Sequence, residues 1–361
     1  MYFDRAKINN GESNPILSID FDRYYEGQDL TVKWADEIAA SPYNGDAWAW
    51  IRARIRAGNY LGIHTKDYIP FKTANNVNLK AEIAGINTYK NYGDTAVGNH
   101  IDFICRELWP TNHVFNKVNY NNGLIPTETV VSDGSATEYT LTKAMYTIDN
   151  IKIGSDTLTG YTYDPATQKI TFTTAPAAGN MVVTGTGSEH PWLVSDLYHY
   201  VNSLAGHVPN GTGANPALAQ VDYTADGIYF QLPTALKNVI VEKRAYLPKR
   251  YSASGLLNDD NAGGWANIGK LWLPSEVEVY GAPCWGGKGG YSTMGNNVQY
   301  PIFMGNMNRL KYKSGSRYLW WLLSSYSGSS TIVCYVNASG GAGSYSASYT
   351  YIAAPVCFRV S

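Results

Sequence analysis

The sequence predicts an α+β fold in which short strands and turns outnumber helices and a small all-β domain interrupts the chain. Charged residues account for only 16% of the 361 residues, against about 25% in a typical soluble domain. Tyrosine and glycine are abundant instead, with 29 and 35 copies, which indicates a compact, loop-rich protein with a contact-prone surface. The chain is long enough for two or three domains, and its composition changes near residue 124 and changes back near residue 187.

Two helices are predicted early in the chain. Helix formers at 35–40 are followed by SPYNGD at 41–46, which ends the first helix. Asp46 is a suitable N-cap for the second helix, DAWAWIRARIRAG, and Gly58 is a suitable end. An apolar stripe at helical spacing predicts that this second helix packs on the core: Trp48, Trp50, Ile51 and Ile55.

Further elements follow from periodicity. KDYIPF (66–71) and VNLKAEIAGI (77–86) alternate apolar and polar residues on either side of an Asn-Asn turn, which predicts a β-hairpin. The helical pattern predicts two more helices. One spans 192–206 and ends at Gly206, and the other spans 235–252. Glycines and short strands dominate from there to the end.

The segment 124–187 reads as an inserted β-sandwich. It is rich in Thr, Val and Ala in alternating patterns, contains no Trp or Cys, and carries the turn sequences DPATQ and PAAGN. Its linkers would be NKVNYNNG (116–123) and GTGSEHP (185–191). We therefore expect a small Ig-like all-β domain here.

Residues 324–351 form a window of unusual composition, with 9 Ser, 5 Tyr and no charged residue among 28. The flanks, WWLL (320–323) and IAAPVCFRV (352–360), are typical of buried strands. A flexible Ser/Gly linker would not carry five tyrosines between two core strands. Two interpretations remain: an ordinary loop-rich β segment, or a contact surface with the Tyr, Ser, Gly and Asn that antibody loops favour.

The residue types missing from the window support the second interpretation. If Asn codons are diversified only at their adenines, the third base stays a pyrimidine, so Lys, Glu, Gln, Met and Trp cannot arise. The window contains none of these five. Alternation predicts that Cys334 and Val336 share one strand face and that Val333, Tyr335 and Asn337 share the other. The sequence SYS at 344–346, which follows Gly343, is predicted to be a loop.

Six strings, in this order, are similar to those of a known group: DYIPF (67–71), IAGINTYKNYGDTAVGNHIDF (83–103), LWLPSEVEVYG (271–281), YPIF (300–303), WWLLSS (320–325) and APVCFRV (354–360). The chain resembles the variable proteins of diversity-generating retroelements, which include phage tropism determinants with a C-type-lectin fold. The resemblance implies a C-type-lectin-like domain, of the formylglycine-generating-enzyme type, over 61–118 and 190–361. Residues 1–60 would be a helical or irregular N-terminal region, which is either separate from the C-type-lectin-like domain or part of it.

The resemblance also implies a division of the variable region, about 318–361, into fixed and varied positions. The fixed framework would comprise Trp320, Trp321, Cys334, Val336, Gly340, Ala342, Ala347, Thr350 and Ile352. The ligand-binding, variable positions would comprise Ser325, Tyr326, Ile332, Val333, Tyr335, Asn337, Ala338, Ser339, Gly341, Gly343, Ser344, Tyr345, Ser346, Tyr349 and Tyr351.

Catalytic and metal sites are not expected. Residues 279–361 contain no His, Asp or Glu, so they offer neither an ordinary general acid or base nor a carboxylate for calcium. His100 and Asp102 are interpreted as a core or turn cluster. Glu276 and Glu278 lie two apart in SEVEV, which favours exposed strand residues or a local ion pair over paired catalytic carboxylates. We expect no cofactor.

The four cysteines lack metal-binding spacing. No two of the cysteines have CxxC spacing, and we expect all four thiols to be buried: Cys105, Cys284, Cys334 and Cys357. A disulfide between the last two is left open.

We expect a binding protein rather than an enzyme, with a protein or glycan receptor on a bacterial cell as partner. Its net charge of −1 predicts no nucleic-acid partner, and no apolar run is long enough for membrane insertion. The resemblance implies a location in the phage tail or, alternatively, on a bacterial surface. It also implies assembly as a homo-oligomer, since the tropism determinants that the chain resembles are trimers. No signal peptide is expected. The alternatives are a fibre or baseplate subunit without variable binding, and a relative of formylglycine-generating enzymes.

Overall fold

The computed structural model describes residues 25–143, 145, 147–213, 216–251, 263–287 and 298–361. It is mostly β, with 35% strand and 16% helix, which confirms the predicted excess of strands over helices. The predictions for residues 1–24 and for residue 252 lie outside the described residues.

The helices of the described chain are short. They are α1 (Leu30–Lys33), α2 (Ala35–Ala39), α3 (Ala47–Arg56), α4 (Asp196–Asn202), α5 (Ile228–Gln231), α6 (Thr234–Lys237) and α7 (Glu276–Tyr280). Turns of 3-10 helix span Pro191–Val194, Pro301–Met304 and Asn306–Arg309.

The strands follow in chain order. The first ten are β1 (Tyr68–Lys72), β2 (Asn78–Ile86), β3 (Ile101–Cys105), β4 (Thr127–Ser132), β5 (Glu138–Thr140), β6 (Ile148–Ile153), β7 (Asp156–Thr157), β8 (Tyr161–Asp164), β9 (Lys169–Phe172) and β10 (Gly179–Gly185). The remaining ones are β11 (Ala205–Pro209), β12 (Leu218–Asp222), β13 (Ile240–Val241), β14 (Arg244–Pro248), β15 (Gly263–Asn267), β16 (Leu271–Trp272), β17 (Lys311–Lys313), β18 (Ser316–Tyr318), β19 (Trp320–Ser325), β20 (Ile332–Val336), β21 (Ala342–Ser346) and β22 (Cys357–Val360).

The predicted second helix is confirmed as α3. Asp46 caps it, because its carboxylate accepts hydrogen bonds from the backbone N–H groups of Trp48 and Ala49 at 2.9 and 3.0 Å. The predicted apolar stripe is buried. Trp48 meets Phe103 and Phe358 edge-on, with ring centroids 5.7 and 5.8 Å apart, so α3 packs against the largest sheet.

The largest sheet has six strands in the order β1-β2-β3-β22-β13, with β16 also paired to β22. The predicted hairpin is confirmed as the antiparallel pair β1–β2. The C-terminal strand β22 lies inside this sheet and all four of its residues are buried, so the predicted buried strand after the window is also confirmed.

Two predicted helices differ from the structure. The segment 235–252 is helical only in α6 and then forms β13 and β14, because its β-branched run at 239–241 favours strands. The helix predicted over 192–206 is a 3-10 turn followed by α4. It ends at Ser203, which takes a left-handed conformation at φ +56°, and Gly206 lies in β11 instead.

Strands β4 to β10 form two sheets of their own, with orders β4-β10-β6-β7 and β5-β9-β8. Both sheets contribute to one hydrophobic cluster, distinct from the main core, that consists of Tyr139, Leu141, Met145, Ile151, Ile170, Phe172, Met181 and Val183. The chain enters and leaves this region side by side. Leu124 and Ser188 exchange backbone hydrogen bonds of 2.7 and 2.8 Å.

Candidate binding surface

The window 324–351 is built on the antiparallel sheet β19-β20-β21. The first flank is confirmed as a buried strand, since Trp320 to Leu323 are all buried in β19. The sequence at 344–346 was expected to be a loop and is part of β21. That prediction is wrong because all five residues of β20 pair with β21, from Ile332 opposite Ser346 to Val336 opposite Ala342.

Asn337 organises the turn between β20 and β21. Its side-chain oxygen accepts hydrogen bonds from the backbone N–H and hydroxyl of Ser339, at 2.9 and 2.7 Å, and from the N–H of Gly341 at 3.0 Å. Gly340 takes a left-handed conformation at φ +84°, which suits glycine. The turn therefore exposes Ala338 and Ser339 at its tip.

Four tyrosines form a continuous row across the window. The ring centroids are 6.4 Å apart for Tyr335 and Tyr345, 4.0 Å for Tyr345 and Tyr349, and 5.6 Å for Tyr349 and Tyr351. Tyr345 is 44% exposed and Tyr351 is 62% exposed. Gly343 lets the Tyr335 ring lie against β21, because a Cβ there would sit 2.8 Å from that ring. The row thus offers apolar ring surface and hydroxyl groups to solvent.

The proposed variable positions fall into three groups by burial. Ala338, Ser339, Tyr345 and Tyr351 are exposed. Partly exposed are Tyr326, Ile332, Tyr335, Asn337, Gly341, Gly343, Ser344, Ser346 and Tyr349. Ser325 and Val333 differ from the prediction: they lie opposite each other in the β19–β20 register and are buried, Val333 within the main core. Neither can contact a partner in this conformation.

The framework positions are mostly interior. Seven of them are buried: Trp320, Trp321, Cys334, Val336, Gly340, Ala347 and Ile352. Ala342 is partly exposed and Thr350 is exposed. The division expected between the two faces of β20 is therefore incomplete, because Val333 joins Cys334 and Val336 in the interior.

The segment before the insertion, expected to be a linker, holds the window in place. Asn121 is fully buried, and its amide nitrogen donates to the carbonyl of Ser329 at 2.8 Å and to that of Ile332. The backbone N–H of Asn121 donates to the carbonyl of Ser330 at 2.8 Å. One buried asparagine thereby fixes the loop between β19 and β20.

Two more asparagines of this segment, and Asn112 just before it, also reach the window. The backbone N–H of Asn116 donates to the carbonyl of Ala347 at 2.9 Å, and the Asn112 amide donates to the carbonyl of Thr350 at 3.0 Å. The exposed Asn119 accepts hydrogen bonds from the hydroxyls of Ser346 and Ser348. Sequence reasoning missed these contacts because about two hundred residues separate the partners.

Glu276 and Glu278 were expected on a strand and instead begin helix α7, where both are buried. Ser275 is the N-cap. Its hydroxyl accepts from the Glu278 N–H at 3.2 Å, and the Glu278 carboxylate accepts from the Ser275 N–H at 2.8 Å. This reciprocal capping box, Ser-x-x-Glu, is a signal already present in the sequence that would have indicated the helix.

The buried Glu276 carboxylate folds the next loop. It accepts hydrogen bonds from three consecutive backbone N–H groups, those of Cys284, Trp285 and Gly286, at 3.0, 3.1 and 2.7 Å. Its own N–H donates to the hydroxyl of Ser324 at 3.0 Å. Glu276 therefore joins the loop at 284–286 to the first residue of the window.

Trp285 at the tip of that loop extends the aromatic surface. It is 45% exposed, and its ring centroid lies 6.0 Å from that of Tyr326. The carbonyl of Trp285 accepts from the N–H and the hydroxyl of Ser327, at 3.0 and 3.1 Å. Sequence reasoning did not single out this residue, although a Trp within the glycine-rich sequence at 281–287 was a visible signal.

His100 and Asp102 belong to a buried cluster, as expected. His100 accepts from the Tyr89 N–H at its Nε2 at 3.2 Å, and its Nδ1 lies 2.8 Å from the Gly98 carbonyl. Asp102 pairs with Arg359. The adjoining pair of Lys243 and Glu278 is also buried and hydrogen-bonded. These groups have almost no access to solvent, so they act in the core.

All four cysteines are free thiols. Cys105, Cys334 and Cys357 are buried as expected, and burial raises the pKa of Cys105 to about 12. Cys284 is exposed, which corrects the expectation of four buried thiols. Within the described ranges no group of three or more His, Cys, Asp or Glu side chains could hold a metal ion. No helix in the described part of the chain is both long and apolar enough to cross a bilayer.

Comparison with known proteins gives one family match. Residues 188–361 match a family described as a domain of unknown function (DUF6273). The matched region begins three residues after the end of β10 and includes Glu276, Trp285 and the whole window. Searches of curated proteins and of solved structures found no match.

Proposed function

We propose that this protein binds a partner through residues 324–351 and is a variable protein of a diversity-generating retroelement. The observation that carries this proposal is the continuous row of Tyr335, Tyr345, Tyr349 and Tyr351, which runs from the core-anchored sheet onto the turns that follow β21. Tyrosine gives a large contact area at a small cost in conformational entropy, and serine and glycine around it adapt hydrogen bonds and shape.

Burial of the framework supports the same proposal. Most of the residues implied to be fixed are interior, and all but two of the residues implied to vary reach the surface. Side chains at the surface can change without repacking a core, whereas core changes typically destabilise the fold. A C-type-lectin-like main domain with an Ig-like insertion is part of the proposal. The β-rich architecture and the separate second core are compatible with it.

The biological setting follows from the same resemblance. We place the protein at a phage tail tip, where it would recognise a receptor on a bacterial cell, with a bacterial surface location as the alternative. Assembly as a homotrimer would multiply modest single-site affinity through avidity. This role is recognition of a partner, without a chemical step.

Binding to bacterial cells tests the proposal. The triple variant Tyr345→Ser/Tyr349→Ser/Tyr351→Ser should lose most binding to the host strain and still unfold cooperatively. The matched control is Tyr92→Ser, which removes a tyrosine of similar exposure, 43%, outside the window. Equal binding by the triple variant and the wild type would refute a contact role for the row.

Sequencing the gene in sister clones separates the proposal from its main rival, a structural fibre or baseplate subunit. In a retroelement-diversified gene, the substitutions should be concentrated in the codons of 324–351. Each substituted base should correspond to an adenine of a nearby template sequence. A structural subunit would show no such concentration.

A further inference from the structure

Trp285 exposes an aromatic surface that lies outside the window. Its indole is 45% exposed, whereas Trp320 and Trp321 of the neighbouring strand β19 have no exposed surface. Leaving so large an apolar side chain in water forgoes the favourable free energy of its burial. Exposed aromatic surface next to other apolar groups commonly marks an interaction site.

The position of Trp285 is imposed by the interior. Three consecutive N–H groups around it bind the buried Glu276 carboxylate. Gly286 has little room for a side chain, because a Cβ there would lie 2.9 Å from that carboxylate and 3.2 Å from Ser324. The indole is therefore held at the surface before any partner arrives, which reduces the entropy lost on binding.

Trp285 and the window form one surface. Its ring contacts Tyr326, Gly286 forms a β-bridge with Tyr326, and Ser327 bonds to the Trp285 carbonyl. Tyr326 in turn bonds through its N–H to the carbonyl of Ile332 in β20. A partner that covers the beginning of the window would thus also cover the indole.

We propose that Trp285 is a fixed anchor of the binding surface, which makes the same contact with successive partners while the window selects among them. This inference rests on the proposed function. The partner we infer is a folded protein surface with an uncharged, apolar patch opposite the indole. Tryptophan and tyrosine are the residues that most often dominate the binding energy of protein interfaces.

The shape and charge of the surface favour a protein partner over a saccharide. A small ligand binds in a concave site that encloses most of its surface. Two cavities among the described residues lie away from this surface, one lined by residues between Leu124 and Leu218 and the other by residues between Thr162 and Thr171. Neither the window nor residues 282–287 contain a charged side chain. An uncharged aromatic surface built on a sheet suits the broad contact of a protein interface, about 800 Å² on each side.

The test uses the full-length chain and cells of a strain that it binds. Trp285→Ala is compared with the wild type and with Phe230→Ala, a control that removes an aromatic side chain of similar exposure, 48%, outside the window. Both substitutions are also placed in a second chain that carries the window of a sister clone with different specificity. The cells are used untreated, after proteinase K, and after periodate.

We expect Trp285→Ala to weaken binding to the cells about tenfold or more in both chains. Phe230→Ala should leave binding unchanged. Treatment of the cells with proteinase K should abolish binding of the wild type. If the wild type binds and Trp285→Ala binds within about twofold of it, Trp285 is not an anchor, and the proposed function is unaffected. Loss of binding after periodate but not after proteinase K would overturn the protein partner. Failure of the wild type to bind any strain tested would overturn the proposed function and this inference together.

Discussion

Arg359 and Asp102 form a buried, two-pronged ion pair between adjacent strands of the largest sheet. The arginine Nε lies 2.7 Å from one carboxylate oxygen and the Nη2 lies 2.8 Å from the other. The two residues are direct partners in the β3–β22 register. Burial acts to raise the pKa of Asp102, but the Arg359 guanidinium outweighs it and holds that pKa below its usual range. The carboxylate therefore stays charged and fixes the C-terminal strand.

Replacing this carboxylate should be costly. Asp102→Asn leaves the guanidinium of Arg359 buried without its counter-ion, so we expect the free energy of unfolding to fall by about 3–5 kcal/mol. Asp94→Asn is the matched control, because Asp94 forms the same kind of pair with Arg244 at the surface, and its loss should cost less than about 1 kcal/mol. Urea denaturation of both variants measures the difference. Similar values for the two would contradict the structural role given to Asp102.

Asn121 should contribute more to stability than its neighbour Asn119. Asn121→Ala strands buried carbonyls of the window without a donor, at a cost of about 2 kcal/mol. Asn119 is exposed, and its replacement by Ala should cost less than about 0.5 kcal/mol. Thermal unfolding measures both, and hydrogen exchange of residues 326–332 should accelerate in the first variant. An unchanged exchange rate there would show that the loop does not depend on Asn121.

Glu276→Gln tests how the Trp285 loop is held. A glutamine side chain of nearly the same size keeps one oxygen but replaces the other by an amide nitrogen, which cannot accept a hydrogen bond. We expect faster hydrogen exchange at the N–H groups of 284–286 and weaker binding to cells. Glu242→Gln, at an exposed position, is the control and should alter neither. Unchanged protection at 284–286 would argue against this function for Glu276.

Acidification should destabilise the protein before its carboxylates titrate. Burial lowers the pKa of each of four histidines below its usual value: His100, His190, His199 and His207. These groups stay neutral in the folded chain and take up protons in the unfolded chain below about pH 6.5. Their contribution is present above pH 6.5 and is lost as the pH falls from there towards the lower folded-state pKa values.

Urea denaturation at pH 7.5 and pH 5.5 measures this loss. Each histidine contributes at most about 1.4 kcal/mol per pH unit. The variant His100→Gln should show a smaller dependence, since it lacks one of the four groups. Stability that rose on acidification would contradict the assignment.

The insertion should be separable from the rest of the chain. Because Leu124 and Ser188 are already hydrogen-bonded antiparallel partners, a two-residue Asn-Gly turn could replace residues 125–187. We expect the shortened chain to fold cooperatively and the isolated segment 124–188 to fold around its own core. Calorimetry of both products tests this. Unfolding of the shortened chain at room temperature would show that the two parts depend on each other.

Elements with local signals were predictable from the sequence. Asp46 at the start of α3, the alternation of the first hairpin and the apolar run of β22 each lie within a few residues of the structure they specify. The strand prediction for Glu276 and Glu278 was wrong because two-residue spacing is compatible with a strand, whereas the Ser-x-x-Glu capping box formed by Ser275 and Glu278 specifies a helix.

Features that depend on distant partners were not predictable. Val333 lies on the opposite face of β20 from Cys334 and Val336, yet all three side chains belong to the main core. The contacts of Asn121 with the window cross more than two hundred residues. Pattern along the chain carries no information about such pairs, so the support of the window became visible only in three dimensions.

The way the window is fastened has a consequence for how the protein can evolve. Asn112, Asn116 and Asn121 bind the carbonyl groups of window residues, and Arg250 binds the carbonyl of Tyr326 in the same way. Every amino acid has a backbone carbonyl group, so these hydrogen bonds do not depend on which side chain a mutation introduces. Substitutions at the exposed positions of the window can therefore leave these contacts with the rest of the chain in place.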